Sequence, residues 1–306
     1  MQDPPAPSAV PTTFLARAQE VTSALTARPG LPTWFATRVV DDTYTLLVGD
    51  SLRVQVPVGI AVPWAHTACE AMVAGLGPQV ALDIGAVPTY AERPLVQRFG
   101  IRTYTGVPMR TADGRLLGTL CGVGPQPLDA DGYRNLAPAR EEAARLAAAL
   151  EADLRALAGE RGEDSHRALR HRDDVTGLPD RRSWGRLLAR EEERARSHAE
   201  PSTVAVVDLG AAHGVRSLRR AAAAALEAAG ADAVVARLNA RQLGVLCAGR
   251  PARGAAEVCE RVRLAVRASG STAVAGTAAR EATGGLSVAW QRAELGALAV
   301  RRGADA

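Results

Sequence analysis

The segment Ala236 to Leu246 reads ARLNARQLGVL, two short apolar runs folded about the polar tip Asn239-Ala240-Arg241-Gln242. Strand, tight turn and strand is a frame that can present catalytic acids to a nucleotide. This tip offers an amide, a methyl, a guanidinium and a second amide, and none of them can act as a metal carboxylate. His66 and Cys69 stand three apart, a spacing that puts two ligands on one helix face, but no second pair accompanies them. They therefore read as packing residues and not as half of a metal or haem site. The four cysteines, Cys69, Cys121, Cys247 and Cys259, lie far apart with no CxxC, which signals neither a zinc knuckle nor a disulfide framework and fits reduced, intracellular thiols. All 37 basic residues are arginine. That excludes a P-loop lysine and a Schiff-base lysine.

The elements that must position such groups follow from pattern. With 306 residues and 47% hydrophobic content, the chain can bury two ordinary cores. The formal net charge is +4, but the arginines alternate with acids, as in REEERAR from Arg190 to Arg196, which reads as a solvated helix face and not as a nucleic-acid stripe. Aromatics at 4% leave little for base stacking, so nucleic acid is not an expected partner. The start, MQDPPAPSAV, has an acid and three prolines where a signal peptide needs basic residues and an apolar core, and no run of 18 apolar residues occurs. The expectation is a cytoplasmic chain with no membrane contact, opening on a disordered tail over residues 1–13.

Residues 14–128 then read as a first domain. A helix with a glycine stop at Gly30 precedes the strand-like runs WFATRVVDD, YTLLVG and LRVQVPV. A helix follows over Ala65 to Gly75, then the strand QVALDI, then two strands flanking the Asp-Gly turn Thr111 to Gly114. Residues 129–164 form a linker whose helix, from about Pro138 to Leu157, carries the stripe Leu146, Leu150, Leu154 and Leu157 and is interrupted by Gly159 and Gly162. The stripe either packs on its own sheet or forms the seam of a parallel dimer, which Asp153 fits poorly. Residues 165–306 form a second domain: a helix near 181–197, the strand TVAVVDL, an alanine-rich helix at 215–229, the hairpin about Asn239, a helix from Ala255 to Ala268 and a short strand LSVAW. The fold class is α+β, antiparallel sheets with flanking helices, in two domains joined by a long helix.

The first domain resembles the GAF family of small-molecule and signal-sensing domains, carried by HTACEAMVAG, VALDIGAVPTYAERPLV and GIRTYTGVPMRTADGRLLGTLCGVGPQPL. Family members commonly bind a ligand between the sheet and the loop after the helix. The resemblance places His66, Cys69, Asp83 and Tyr104 at such a pocket, although family members also serve as dimerising scaffolds with no ligand.

The second domain resembles the diguanylate cyclase (GGDEF) family. Asp173-Asp174-Val175-Thr176-Gly177-Leu178-Pro179-Asp180-Arg181-Arg182 looks like the signature D-x-L-T-G-L-P-N-R-R, which is structural in the family, and VAVVDLG is similar to the first core strand, whose aspartate helps bind magnesium. Asp208 holds that place. Aligned on Arg237, the residues Asn239, Ala240, Arg241, Gln242 and Leu243 stand where the family writes Gly-Gly-Asp-Glu-Phe. Two-metal phosphoryl transfer needs acidic oxygens around both ions, and Arg241 instead places a cation there. Leu209 to Gly214 lacks the family's guanine-reading segment, Gly230 and Ala233 stand where the product-inhibition pattern R-x-x-D would be, and the end RRGADA lacks the usual final helix and strand.

The resemblance therefore implies a signalling protein, a GAF sensor joined to a catalytically degenerate domain with no catalytic residues, cofactor or metal. Such a domain acts by binding a ligand or a signalling protein, as a homodimer through the GAF domain and helix 138–157. The alternatives are an active nucleotide cyclase with a site rebuilt around Asp208, and a GAF-mediated scaffold without ligand.

Overall fold

The structure, a computed structural model, describes residues 13–51, 57–129, 136–210 and 214–304. The Pro-rich tail, most of the expected strand Leu52 to Val58 and the segment Ala211 to His213 lie outside the described residues. The chain divides into two compact units, residues 1–155 and 156–306.

The first unit is built on a six-stranded antiparallel sheet in the order β3-β2-β1-β6-β5-β4. Helix α1 (Phe14–Thr26) precedes β1 (Thr33–Val40), β2 (Thr43–Ser51) and β3 (Ala61–Pro63). Short helices α2 (Ala68–Val73), α3 (Pro88–Ala91) and α4 (Pro94–Phe99) surround β4 (Val80–Ala81). The hairpin β5 (Thr103–Arg110) and β6 (Leu116–Gly124) turns where the Asp-Gly pair demands it, with Gly114 at a φ of 86°. Alternation along the strands sorts the side chains. Phe35, Tyr44, Leu46, Tyr104, Cys121 and Val123 face a core shared with Cys69, Met72, Ile84, Tyr90 and Val96, while α1 covers β1 and β2.

Helix α5 (Leu136–Ala168) begins in this unit and buries Ala139, Ala143, Leu146, Ala147 and Leu150. Asp153 accepts a hydrogen bond from the Phe14 amide (2.9 Å) and so caps α1, and Arg140 reaches Gln79. Of the two readings of the leucine stripe, the packing within the chain favours the first, since Leu146 and Leu150 have no exposed surface within the single chain. An amphipathic helix takes the nearest apolar surface, and here its own unit supplies it. Asp153, a poor seam residue, has a local partner instead.

The second unit has a four-stranded antiparallel sheet, β10-β7-β9-β8. Its elements are α6 (Arg181–His198), β7 (Ser202–Asp208), α7 (Val215–Ala229), β8 (Val234–Arg237), β9 (Gln242–Ala248), α8 (Ala252–Ala268), β10 (Val274–Ala279) and α9 (Gly285–Ala304). Strand β7 is central and buried throughout, with α7 and α8 on one face and α6 and α9 on the other.

Three expectations are corrected in this unit. The segment LSVAW is the first part of α9 and not a strand, because its apolar residues continue at helical spacing through Ala293 and Ala297, both buried. Gly159 and Gly162 do not interrupt α5. Each costs a helix about 1 kcal/mol against alanine, but ion pairs hold this stretch: Arg161 bonds Glu191 through two nitrogens (2.9 and 2.7 Å), and Asp164 accepts from Arg167, Arg190 and Arg194. The run REEERAR is accordingly no wet face, since Glu191 is 1% exposed and Glu192 is paired with Arg280.

Replacing Leu150 by alanine should lower the unfolding free energy by about 2–5 kcal/mol, whereas Leu298→Ala, on an exposed part of α9, should change it by no more than about 0.5 kcal/mol. Urea denaturation at several protein concentrations checks both. A Leu150→Ala loss that grows with dilution would place Leu150 between chains after all.

Candidate functional site

In the second unit the signature loop ties its own turn to the tip hairpin. Asp173 accepts from the Thr176 amide and hydroxyl, both at 2.8 Å, and from Arg237 at 2.6 Å, while the Arg237 amide donates to the Pro179 carbonyl. Burial works against the Asp173 charge, but the bonds from Arg237 and Thr176 outweigh it and hold the carboxyl below its usual range. Asp180 caps α6 through the Ser183 amide. The loop is thus structural, as the resemblance implies.

Asp208 ends β7 and lies opposite Gln242 at the start of β9, so the fold brings the acid and the tip together. The tip polar groups satisfy one another: Asn239 Nδ2 donates to Gln242 Oε1 (2.6 Å), the Arg241 amide donates to Asn239 Oδ1 (2.9 Å), and the Leu209 amide donates to the Arg241 carbonyl (2.8 Å). Ala240 and the Arg241 side chain face solvent, and Leu243 is core. Asp208 has 5% of its surface exposed and a cation already on it. Arg301, from the last turns of α9, donates to Asp208 Oδ1 (2.9 Å) and to its backbone carbonyl (2.7 Å), and the Gly210 amide donates to Oδ1 (2.8 Å).

Helix α9 can deliver that arginine because it touches β10. A methyl on Gly276 would strike the Ala293 carbonyl and the Ala297 amide, so only glycine admits the approach. Among the described residues no three His, Cys, Asp or Glu side chains group to hold a metal ion. Gly230 closes α7 with a φ of 57°, and the nearby acid Asp232 is paired with Arg250 and Arg261.

In the first unit the structure brings together two of the four expected pocket residues. Cys69, on α2, and Tyr104, on β5, line a cavity of about 30 Å³ with Tyr44 and Cys121. His66 lies in a separate 3₁₀ turn, Trp64 to His66, and is exposed, so it shares no site with Cys69. Asp83 sits at the surface, where it accepts from the Gly85 amide (2.9 Å) and Arg102 (3.2 Å). The amide bond first and the guanidinium second lower its pKa. It caps a turn and does not reach the cavity.

Tyr44 and Cys121 were not assigned to the pocket from the sequence, although both fall on inward positions of alternating strands. Hydrogen bonding from Cys121 brings the Cys69 thiol down to about 7 despite its burial, and the same contact with burial pushes Cys121 up. The other two cysteines also meet, with 3.9 Å between the sulfurs of Cys247 and Cys259.

Residues 38–150 match the family described as the GAF domain. No curated protein matches the chain. Among similar solved structures are the GGDEF domain of DgcB from Caulobacter crescentus in complex with c-di-GMP and the diguanylate cyclase SiaD from Pseudomonas aeruginosa in complex with its activator SiaC. The first is 20% identical, covers 44% of this chain and 89% of that one, with a TM-score of 0.41. The second is 26% identical and covers 57% and 78%, with a TM-score of 0.41. A free methionine-R-sulfoxide reductase from Neisseria meningitidis is also similar, at 20% identity, 47% and 82% coverage and a TM-score of 0.37.

Two measurements check this geometry. Arg301→Met should cost about 3–5 kcal/mol, because it strands a buried carboxylate, and Asp208→Asn with Arg301→Met together should cost less than Arg301→Met alone; equal and additive losses would mean that the pair is not coupled. Thiolate absorbance in the ultraviolet should show one thiol ionising as the pH rises through about 7, below the ordinary thiol range, and Cys69→Ser should remove that step.

Proposed function

We propose that the chain is a cytoplasmic regulatory protein in which a GAF sensor domain is coupled to a diguanylate cyclase-like domain that has lost catalysis and acts by binding. The observation that carries this reading is the ion pair between Arg301 and Asp208. Phosphoryl transfer through two metals requires carboxylate oxygens to hold both ions as a hydroxyl attacks the α-phosphate. Here the one acid at that place is neutralised from within the chain, and the neighbouring tip adds Arg241 in place of an acid. A divalent ion approaching Asp208 would have to displace a guanidinium from a buried carboxylate and then bind a single ligand. The electrostatics favour a domain that keeps the fold as a docking body for a signalling partner.

For the sensor domain, a cavity of about 30 Å³ restricts a bound molecule to a few heavy atoms, far below the few hundred Å³ of ordinary ligand pockets. A homodimer through this domain would use its outward faces, since Leu146 and Leu150 are buried within the chain. The same small cavity favours, as second reading, a scaffold that binds no ligand. A thermal scan against small molecules separates the two, because a ligand of the folded state alone raises the melting temperature.

Purified protein supplied with GTP and magnesium or manganese should yield no cyclic di-GMP, and Arg241→Asp with Gln242→Glu should not restore it while Arg301 still holds Asp208. Chromatographic assay of the nucleotides checks this. Product formation by the unmodified protein, abolished by Asp208→Ala, would sink the reading.

A further inference from the structure

The cavity of the first unit is too small for a nucleotide and too apolar for an ion. About 30 Å³ holds one or two molecules the size of water. None of the lining side chains is charged, and most are aliphatic or aromatic. Against that background four polar groups converge. The Tyr44 hydroxyl stands 3.5 Å from the Cys121 sulfur and 4.0 Å from the Cys69 sulfur, bridging the two thiols. Tyr104 lines the same cavity, and its hydroxyl is buried without a hydrogen-bond partner, a state that folded chains seldom leave without a use. Room for that hydroxyl is built in: any side chain at Gly106 would run into it.

We propose that Cys69 and Cys121 form a dithiol that reacts with a small hydroperoxide admitted to this cavity, and that the disulfide they form is the signal the domain reports. The proposal rests on the sensor reading and names its stimulus. Hydrogen peroxide fits the space, is uncharged, and offers an oxygen to the unpartnered Tyr104 hydroxyl.

Cys69 supplies the nucleophile, since the thiolate is the reactive form and this thiol is the one held low. Burial keeps Tyr104 protonated and therefore a donor. In the first step the Cys69 sulfur attacks one peroxide oxygen, the O–O bond breaks, and the departing hydroxide takes a proton to leave as water. Cys69 is then a sulfenic acid. In the second step the Cys121 sulfur, having lost its proton, attacks the Cys69 sulfur, the S–O bond breaks, and a second water leaves. Two thiols and one peroxide give one disulfide and two waters, the sulfurs oxidised and the peroxide reduced.

The test uses the full-length reduced protein with hydrogen peroxide in equal amount, quenched by alkylation under denaturing conditions and mapped by peptide mass. A cross-link between the Cys69 and Cys121 peptides is expected. Cys121→Ser should halt the reaction at a sulfenic acid on Cys69 that dimedone traps, and Tyr104→Phe should slow it about tenfold or more through loss of the proton donor.

Full alkylation of Cys69 after peroxide would overturn the proposal, as would a Tyr104→Phe variant that reacts as fast as the parent. Hydrogen exchange along α5, before and after oxidation, separates this from the sensor reading. A cross-link that leaves exchange unchanged upholds the dithiol and counts against the sensor. An unreactive Cys69 in a protein stabilised by some other small molecule overturns the dithiol and leaves the sensor standing.

Discussion

A carboxylate at the end of a buried central strand must have a cation beside it, and in the second unit that requirement organises the rest. Asp208 lies on β7, between β9 and β10. A metal-binding domain would meet the need with divalent ions and surround them with further acids. This chain meets it with Arg301, 93 residues downstream. The choice propagates outward. Helix α9 must run along β10 closely enough for its last turns to reach the acid, which is why Gly276 has no room for a side chain. The tip closes on itself through Asn239 and Gln242. What remains is a site in which the buried carboxylate is paired from within the chain.

The first unit shows the opposite economy. Its sheet is covered by α1 on one face and by short helices on the other, and between β5, β6 and α2 the packing leaves a small gap in which polar groups are gathered and not fully satisfied. A buried hydroxyl beside two thiols is reactive geometry, whereas the surface ion pair of Asp83 and Arg102 is turn chemistry. The two units therefore differ in kind. One gathers thiols and hydroxyls at its centre, and the other has a cation on its buried acid at the place where chemistry would be expected.

Local pattern made much of this legible. The Asp-Gly turn fixed the β5–β6 hairpin, and the apolar run before Asp208 marked a buried strand. The absence of acids from Asn239 to Gln242 is plain in the sequence alone. Distance hid the rest. Nothing near Asp208 announces Arg301, and Cys121 lies 52 residues from Cys69, so their meeting depends on how α2 lies over the sheet. LSVAW misled because a five-residue, mostly apolar run cannot distinguish a strand from the start of a buried helix, while β10, VAGTAA, is mostly alanine and glycine, residues depleted in strands. His66 was placed with Cys69 on the assumption of one continuous helix, and the turn at Thr67 breaks it.

The claim that the site around Asp208 has been replaced, and not merely weakened, is tested most directly by titrating manganese, with and without a non-hydrolysable GTP analogue, into isotopically labelled protein and following paramagnetic broadening of the backbone amides. The account predicts no selective broadening at Leu209, Gly210, Arg241 or Gln242. Saturable broadening centred on those amides, lost in Asp208→Asn, would show a metal seated in the place of the Arg301 guanidinium and would contradict it.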